Sequence, residues 1–232
     1  MICAMRSEVG PIARGLGLEP CHIDGCAAAY QGYAGSIHVV AVVTTMGTKA
    51  AQRATEALFA TMPIDHVMVA GVAGGVDPTL AIGQLVVPEV VIDSASGREL
   101  HPVTLPGHRA SGVIATSDAL HYGDEELNAL LQAGITAVDM ETASIGAVCE
   151  QHGCPWSAFR AISDRVQEAG HNYEAFSLAN PDGTPDMSAV AWFVLRRPWR
   201  VPHLVRLGRG AHRAITQAAE ATIVACVRFE VS

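Results

Sequence analysis

The run VDMETASIGAVCEQHGCPWSAFRAISDRV, residues 138–166, sets three acids, Asp139, Glu141 and Asp164, at the edges of two apolar elements. A purely structural helix or strand gains little from acids there. Carboxyl groups in such places suit proton transfer or the holding of hydroxyl groups. The apolar spacing of residues 142–152, closed by Gly153, predicts a helix that Met140 and Glu141 open, and the short apolar run 156–162 predicts a buried strand that Asp164 follows. Ligands of open α/β sheets bind in loops at the carboxyl ends of strands, so these acids stand where a ligand would. The bland alternatives are a turn or N-cap role for Asp164 and a helix-start charge favoured by the macrodipole, which explains Asp139 better than Glu141.

The elements that must position them alternate in type. Residues 37–44 and 66–70 read as strands around a helix at 49–60, which argues for crossover units and a sheet with helices on both faces. Residues 84–92 (QLVVPEVVI) read as one further strand, which Pro88 marks as an edge or a bulge. A short strand at 113–116 and a short helix at 125–132 follow. The fold class expected is therefore α/β.

Composition narrows the function. A chain of 232 residues, half of them hydrophobic, suits one sizeable domain, and its net charge of -8 argues against nucleic acid as a partner and for a small molecule. No apolar run is long enough to span a membrane and the first residues lack the pattern of a signal peptide, so a cytoplasmic protein is expected. The six cysteines form no CxxC pair and read as reduced core fillers, with no metal site and no cofactor expected.

Past Asn180 the texture changes. The turn-rich NPDGTPD precedes a segment, residues 191–213, with six arginines and no acid, interleaved with Trp192, Phe193, Trp199 and Leu204. This divides the chain into a main domain, 1–180, and a C-terminal arginine-rich helical extension, 181–232. The extension reads either as a helical hairpin packed on the domain with a solvated basic face, or as a peripheral membrane or partner contact.

The glycine cluster GVAGGVDPTLAIG, residues 71–83, reads on its own as a loop after a strand, since it has neither the P-loop lysine nor GxGxxG spacing. Taken with AMRSEV near the N-terminus, VDMETASI and RAISD, in that order, the chain resembles the purine nucleoside phosphorylase and nucleosidase superfamily. It is most similar to the branch that hydrolyses 5'-methylthioadenosine and S-adenosylhomocysteine. The resemblance covers residues 2–178 and implies a single domain with a central mixed, partly barrel-like sheet flanked by helices. It also implies a homodimer.

Cleavage of a ribosyl bond to a purine passes through an oxocarbenium-like state, so the base must be neutralised as it leaves and a nucleophile delivered to the anomeric carbon. The resemblance assigns Asp164 as the general acid at the purine, Glu141 as the ligand of the ribose hydroxyls, and Glu8 as the residue that orients or deprotonates water. Met140 matches the residue packed on the sugar, and Arg160 one that lines the water site. A buried arginine is costly without a carboxylate, so pairing to Glu8 or Glu141 is expected. Ser163 either holds Asp164 or caps a turn.

Two positions depart from the family pattern. Val72 stands where relatives carry a serine or threonine, which argues against phosphate and for water as the nucleophile. Leu120, followed by His121, stands where a phenylalanine stacks on adenine; His121 reads equally as a surface loop residue. The 5' substituent falls to Met5, Met46, Tyr173 and Phe176, which suit a thioether or alkyl group and are also common core fillers. The tail is similar to that of hopanoid-associated nucleosidases, which makes an adenosylhopane-like substrate the alternative. A different purine nucleoside, a phosphate-dependent phosphorylase and a non-catalytic nucleoside-binding protein are weaker readings.

Overall fold

The computed structural model describes residues 1–118, 123–166, 178, 180, 182, 184 and 186–229. Among the described residues, eleven strands form one mixed sheet. Its main path runs β2 (Glu19–Cys21), β3 (Ala28–Ala34), β4 (Ile37–Val43), β1 (Ile2–Cys3), β5 (Val67–Gly75), β10 (Ala137–Asp139), β9 (Val113–Thr116), β7 (Val90–Asp93) and β8 (Glu99–Leu100). Off this path, β11 (Trp156–Arg165) pairs with β5 and with β6 (Leu85–Val86). The expected α/β architecture, a mixed sheet flanked by helices, is the one observed.

Side-chain alternation along the central strands splits the core into two layers. Val67, Val69 and Ala158 point to one face with α2 (Thr48–Thr61) and α4 (Thr142–Gln151), where Ala51, Leu58, Ile145 and Cys149 pack on them. Met68, Ala70 and Phe159 point to the other, against Val9 and Ile12 of α1 (Arg6–Leu16) and Ala219, Ala225 and Cys226 of the last helix, α6 (Val201–Phe229). Among the described residues, the remaining α-helices are α3 (Asp124–Gln132) and α5 (Met187–Arg196). Several cysteines, among them Cys3, Cys149 and Cys226, are buried fillers of these layers.

Three sequence expectations change. Residues 84–92 form two strands, not one: β6 joins β11 and β7 joins β8 and β9, and the break falls at Val87, Pro88 and Glu89 because proline cannot donate to a ladder. The glycines expected in a loop belong to a strand, for β5 runs through Gly71, Gly74 and Gly75 and pairs with β11 along its length. The strand holding Asp164 does not end before it. β11 continues to Arg165, with a bulge at Ser163 where the register against β5 slips by one residue.

The topology that matters for function is a change of direction beside β5. There β1, β4, β5 and β11 run parallel, while β10 lies antiparallel to the end of β5, with Val138 opposite Gly74. The chain leaving β10 thus runs back along β5. Asp139, Met140 and Glu141 are carried toward Gly71 and Val72, in the middle of the strand.

Candidate active site

Glu8 lies one turn into α1, and its carboxylate folds back on the chain entering the helix. Its Oε2 accepts the N–H groups of Ala4 at 3.0 Å and Met5 at 2.9 Å, half of a capping box with Met5 at the N-cap. Its Oε1 accepts the N–H of Val72 at 2.9 Å. The side chain is buried, and burial pushes its pKa up, against the opposing pull of Arg160 and the three N–H donors. A solvated helix-start glutamate would show none of this.

Arg160 enters the same space from β11, where it pairs in register with Gly71. A methyl group at Gly71 would overlap both the Glu8 carboxylate and the Arg160 guanidinium, so the missing side chain is the gap in which the two charges approach. Arg160 is 1% exposed. Its Nε donates to Thr142 Oγ1 at 2.9 Å, and its Nη1 reaches the carbonyl of Val72 at 3.5 Å.

Arg160 pairs with Glu141, as expected, and more closely with Asp139, which the sequence did not indicate. Nη2 lies 2.8 Å from Asp139 Oδ2 and 3.6 Å from Glu141 Oε2. The contact with Asp139 is an ion pair without an aligned hydrogen bond at Nη2. Asp139 does meet the start of α4, accepting the Thr142 N–H at 3.4 Å, but it is more than a helix-start charge. It is buried, and it accepts from Thr116 Oγ1 at 2.6 Å and from the Thr142 hydroxyl. The antiparallel return of β10 brings Asp139 to Arg160, since it sets the residue inside the sheet, ahead of the helix. Burial works against the charge on Arg160, but Asp139, Glu141 and Glu8 outweigh it and hold the guanidinium above its usual pKa.

Glu141 is the N-cap of α4 and is buried. Its Oε1 accepts the N–H of Gly47 at 3.0 Å. Gly47 in turn caps α2, after a turn in which Thr45 takes a left-handed φ of 73°. A β-branched residue there is strained, and such strain persists where the surroundings over-determine it. The turn sets Met46 next in sequence to Gly47, the residue that holds the Glu141 carboxylate, and fastens α2 to the end of β10. Asp118, just past β9, holds the same helix start, accepting Thr48 N–H at 2.9 Å and Thr48 Oγ1 at 2.7 Å. Burial raises the pKa of Glu141 to about 7; Arg160 opposes the rise and Asp139 adds to it.

Asp164 sits half-buried beyond the bulge, four residues along β11 from Arg160. The Ser163 hydroxyl donates to its Oδ1 at 2.6 Å, which fixes the carboxylate against its neighbour. Met5, Val72, Met140 and Ser163 are likewise half-buried: Met5 and Met140 follow the ends of β1 and β10, Val72 lies within β5, and Ser163 is the bulge of β11. Leu120, His121, Tyr173 and Phe176 lie outside the described residues.

A family model, described as the phosphorylase superfamily, matches this chain over residues 1–109 and 104–195. The chain belongs to the phosphorylase superfamily. Among its relatives in that superfamily is the 5'-methylthioadenosine/S-adenosylhomocysteine nucleosidase of Actinobacillus succinogenes, 29% identical over 212 residues that cover 76% of this chain and 90% of that protein. The aminodeoxyfutalosine nucleosidase of Helicobacter pylori (strain J99) is 26% identical, over 75% of this chain and 88% of that protein. The fold extends further than the sequence likeness. A 5'-methylthioadenosine/S-adenosylhomocysteine nucleosidase from Neisseria meningitidis, solved in complex with methylthio-immucillin-A, superposes with a TM-score of 0.73 at 17% identity, covering 99% of this chain and 97% of that one.

Sequence reasoning missed three parts of this candidate site. Asp139 carried a signal, as part of the VDMET motif, but its position before a helix invited the simpler reading. Gly71 stood within the motif, yet only the register of β5 against β11 shows why it has no side chain. Gly47, the donor to Glu141, is 94 residues away in sequence and had no local signal.

Proposed function

We propose that the chain hydrolyses the N-ribosyl bond of a 5'-substituted adenosine, of the methylthioadenosine or S-adenosylhomocysteine type, and releases adenine. The observation that carries this reading is the binding of Glu8. Three backbone N–H groups and the nearby Arg160 hold its carboxylate beside Val72, which contributes an N–H and no hydroxyl. That arrangement suits a water molecule on a carboxylate. A phosphate dianion would meet the Glu8 charge without a hydroxyl donor at Val72.

In this mechanism Glu8 orients the attacking water and takes its proton as the C–O bond forms at the anomeric carbon. Glu141 accepts hydrogen bonds from the ribose hydroxyls, where its charge also steadies the positive ring. Asp164, held by Ser163, delivers a proton to the purine as the C–N bond breaks. Arg160 is a positioning residue for the two glutamates. The nucleosidase names of the relatives support the reaction class.

Incubating the purified chain with 5'-methylthioadenosine, with and without phosphate, and measuring free adenine tests the reading. Equal release in both is expected; strict dependence on phosphate would overturn it. Turnover confined to an adenosine bearing a long 5' hydrocarbon would keep the reaction and move the substrate to the adenosylhopane-like class. The homodimer that the resemblance implies belongs to the same reading, and sedimentation velocity of the full chain measures it.

A further inference from the structure

Helix α5, MSAVAWFVLR, contains no buried residue. Its exposed positions include Met187, Ala191, Trp192, Val194 and Leu195. At about 100° per residue these five fall within an arc of about 160°. Ala189, Val190 and Phe193, on the other side, are half-buried. A surface helix of a soluble domain turns its apolar stripe inward and a polar face out; this one is apolar on both sides and leaves the wider one out: Met187 is 69% exposed and Leu195 81%.

The next elements continue the pattern and add charge. The 3-10 turn Pro198–Arg200 touches both α5 and α6 and leaves Trp199 71% exposed. The first part of α6, residues 201–213, has no buried residue, and its exposed positions include Val205, Arg206, Arg209 and Arg213. Only from Ala214 onward, through Ala218, Ala219, Thr222, Ala225 and Cys226, does the helix bury a face. Arg196 lies 3.3 Å over the Trp192 ring. Residues 187–219 hold six arginines and no acid, whereas the rest of the chain sets nine basic residues against 23 acidic ones.

We propose that α5, the 3-10 turn and the start of α6 form a docking surface for an anionic lipid bilayer, lying in the plane of its interface. Tryptophan rings and aliphatic side chains would enter the headgroup boundary, while arginines, their stems lying along the apolar surface, meet lipid phosphates. No helix among the described residues is long and apolar enough to cross a membrane, which fits an in-plane contact. Charge decides between this occupant and a second copy of the chain, because a two-fold contact would set the arginine-rich segment against itself. The surface is also joined to the candidate site. At Gly210, α6 passes so close to the carbonyl of Ser163 that a methyl group would come to 2.9 Å from it.

Cosedimentation of the full chain with vesicles tests the surface. Vesicles of phosphatidylcholine alone are compared with vesicles containing about a third phosphatidylglycerol, and the expected result is binding at least about tenfold tighter to the anionic ones, weakening as salt is raised. Trp192→Ser with Leu195→Ser is expected to cut that binding about tenfold, since it removes apolar surface from the interface. Arg196→Glu with Arg209→Glu should abolish it, and adenine release from a soluble nucleoside should be unchanged in both variants. Absence of binding to anionic vesicles at low salt would overturn the proposal. So would full binding by the Trp192/Leu195 variant, or a variant that loses self-association while binding vesicles normally. The readout needs no nucleoside, so it stands or falls apart from the proposed reaction.

Discussion

At Arg160, in the middle of β11, four charged side chains meet out of water: Arg160, Asp139, Glu141 and Glu8 are each 7% exposed or less. Hydroxyls of Thr116 and Thr142 and the N–H groups of Ala4, Met5, Val72 and Gly47 hold them in place. At Asp164 the strand has bulged, the carboxyl group is half-buried, and the Ser163 hydroxyl beside it in sequence donates to it. The first region must be complete for any part of it to be tolerated, because a buried charge that loses its partner is costly. The second is half in reach of water, where exchanging one polar group for another costs less. The difference teaches that stability and chemistry are coupled at one end of the strand and separable at the other.

Removing the guanidinium is the strongest way to break that contrast. Arg160→Ala leaves three acids together without their cation, and it should destabilise the fold by about 3–5 kcal/mol in urea unfolding. Adenine release should fall below detection. If the variant were as stable as the parent, the buried network would have no structural role.

Asp164→Asn should separate the two properties. A loss of about a hundredfold or more in kcat is expected for a missing general acid. Unfolding free energy should change by less than about 1 kcal/mol, as for a half-buried polar exchange. A large loss of stability would erase the distinction between the two ends.

The acid–base behaviour of Glu141 sharpens the comparison. Its pKa is raised from an ordinary 4.5 to about 7, so the folded state holds a proton that the unfolded chain has released between those values. The contribution to stability is therefore present below 4.5 and is lost as pH rises through about 7, and Glu8, also raised by burial, acts in the same direction. Activity should move oppositely: kcat/KM should climb with pH up to about 7 as the carboxylate becomes able to accept the ribose hydroxyls. Glu141→Gln should reduce that limb, and the slope of the stability curve, to the part that Glu8 sets.

The smallest effect is expected at Ser163→Ala. Losing one hydrogen bond to Asp164 should lower kcat about three- to tenfold, in keeping with about 1 kcal/mol. The melting temperature should stay near that of the parent.

Much of this architecture is legible in the amino-acid sequence. Periodicity places α2, α3, α4 and β9 within a residue or so, because amphipathic helices and short apolar strands carry their pattern locally. The motif acids Glu8 and Glu141 occur at one site, joined through Arg160 and Val72. What stays hidden depends on pairing between strands far apart in the chain. The partner of Arg160 follows from the antiparallel return of β10. The strand character of the glycine run follows from β11, and the position of Asp164 within the strand from a bulge that no single-residue preference announces. The outward apolar face of α5 is foreshadowed only as composition, since a helix's own pattern does not say which side faces the body.

Gly71 bears on how such a site can change over time or in a design experiment. It sets a volume limit that α1, β5 and β11 share, so a larger residue there would be felt on three elements at once, although it is buried and carries no functional group. Variants at this position would be rescued only by simultaneous shortening of Glu8 or Arg160, either of which removes a working group. Under the proposed function, a library aimed at new 5' substituents would vary Met5 and Met46 with β5 held constant, leaving the charged centre untouched.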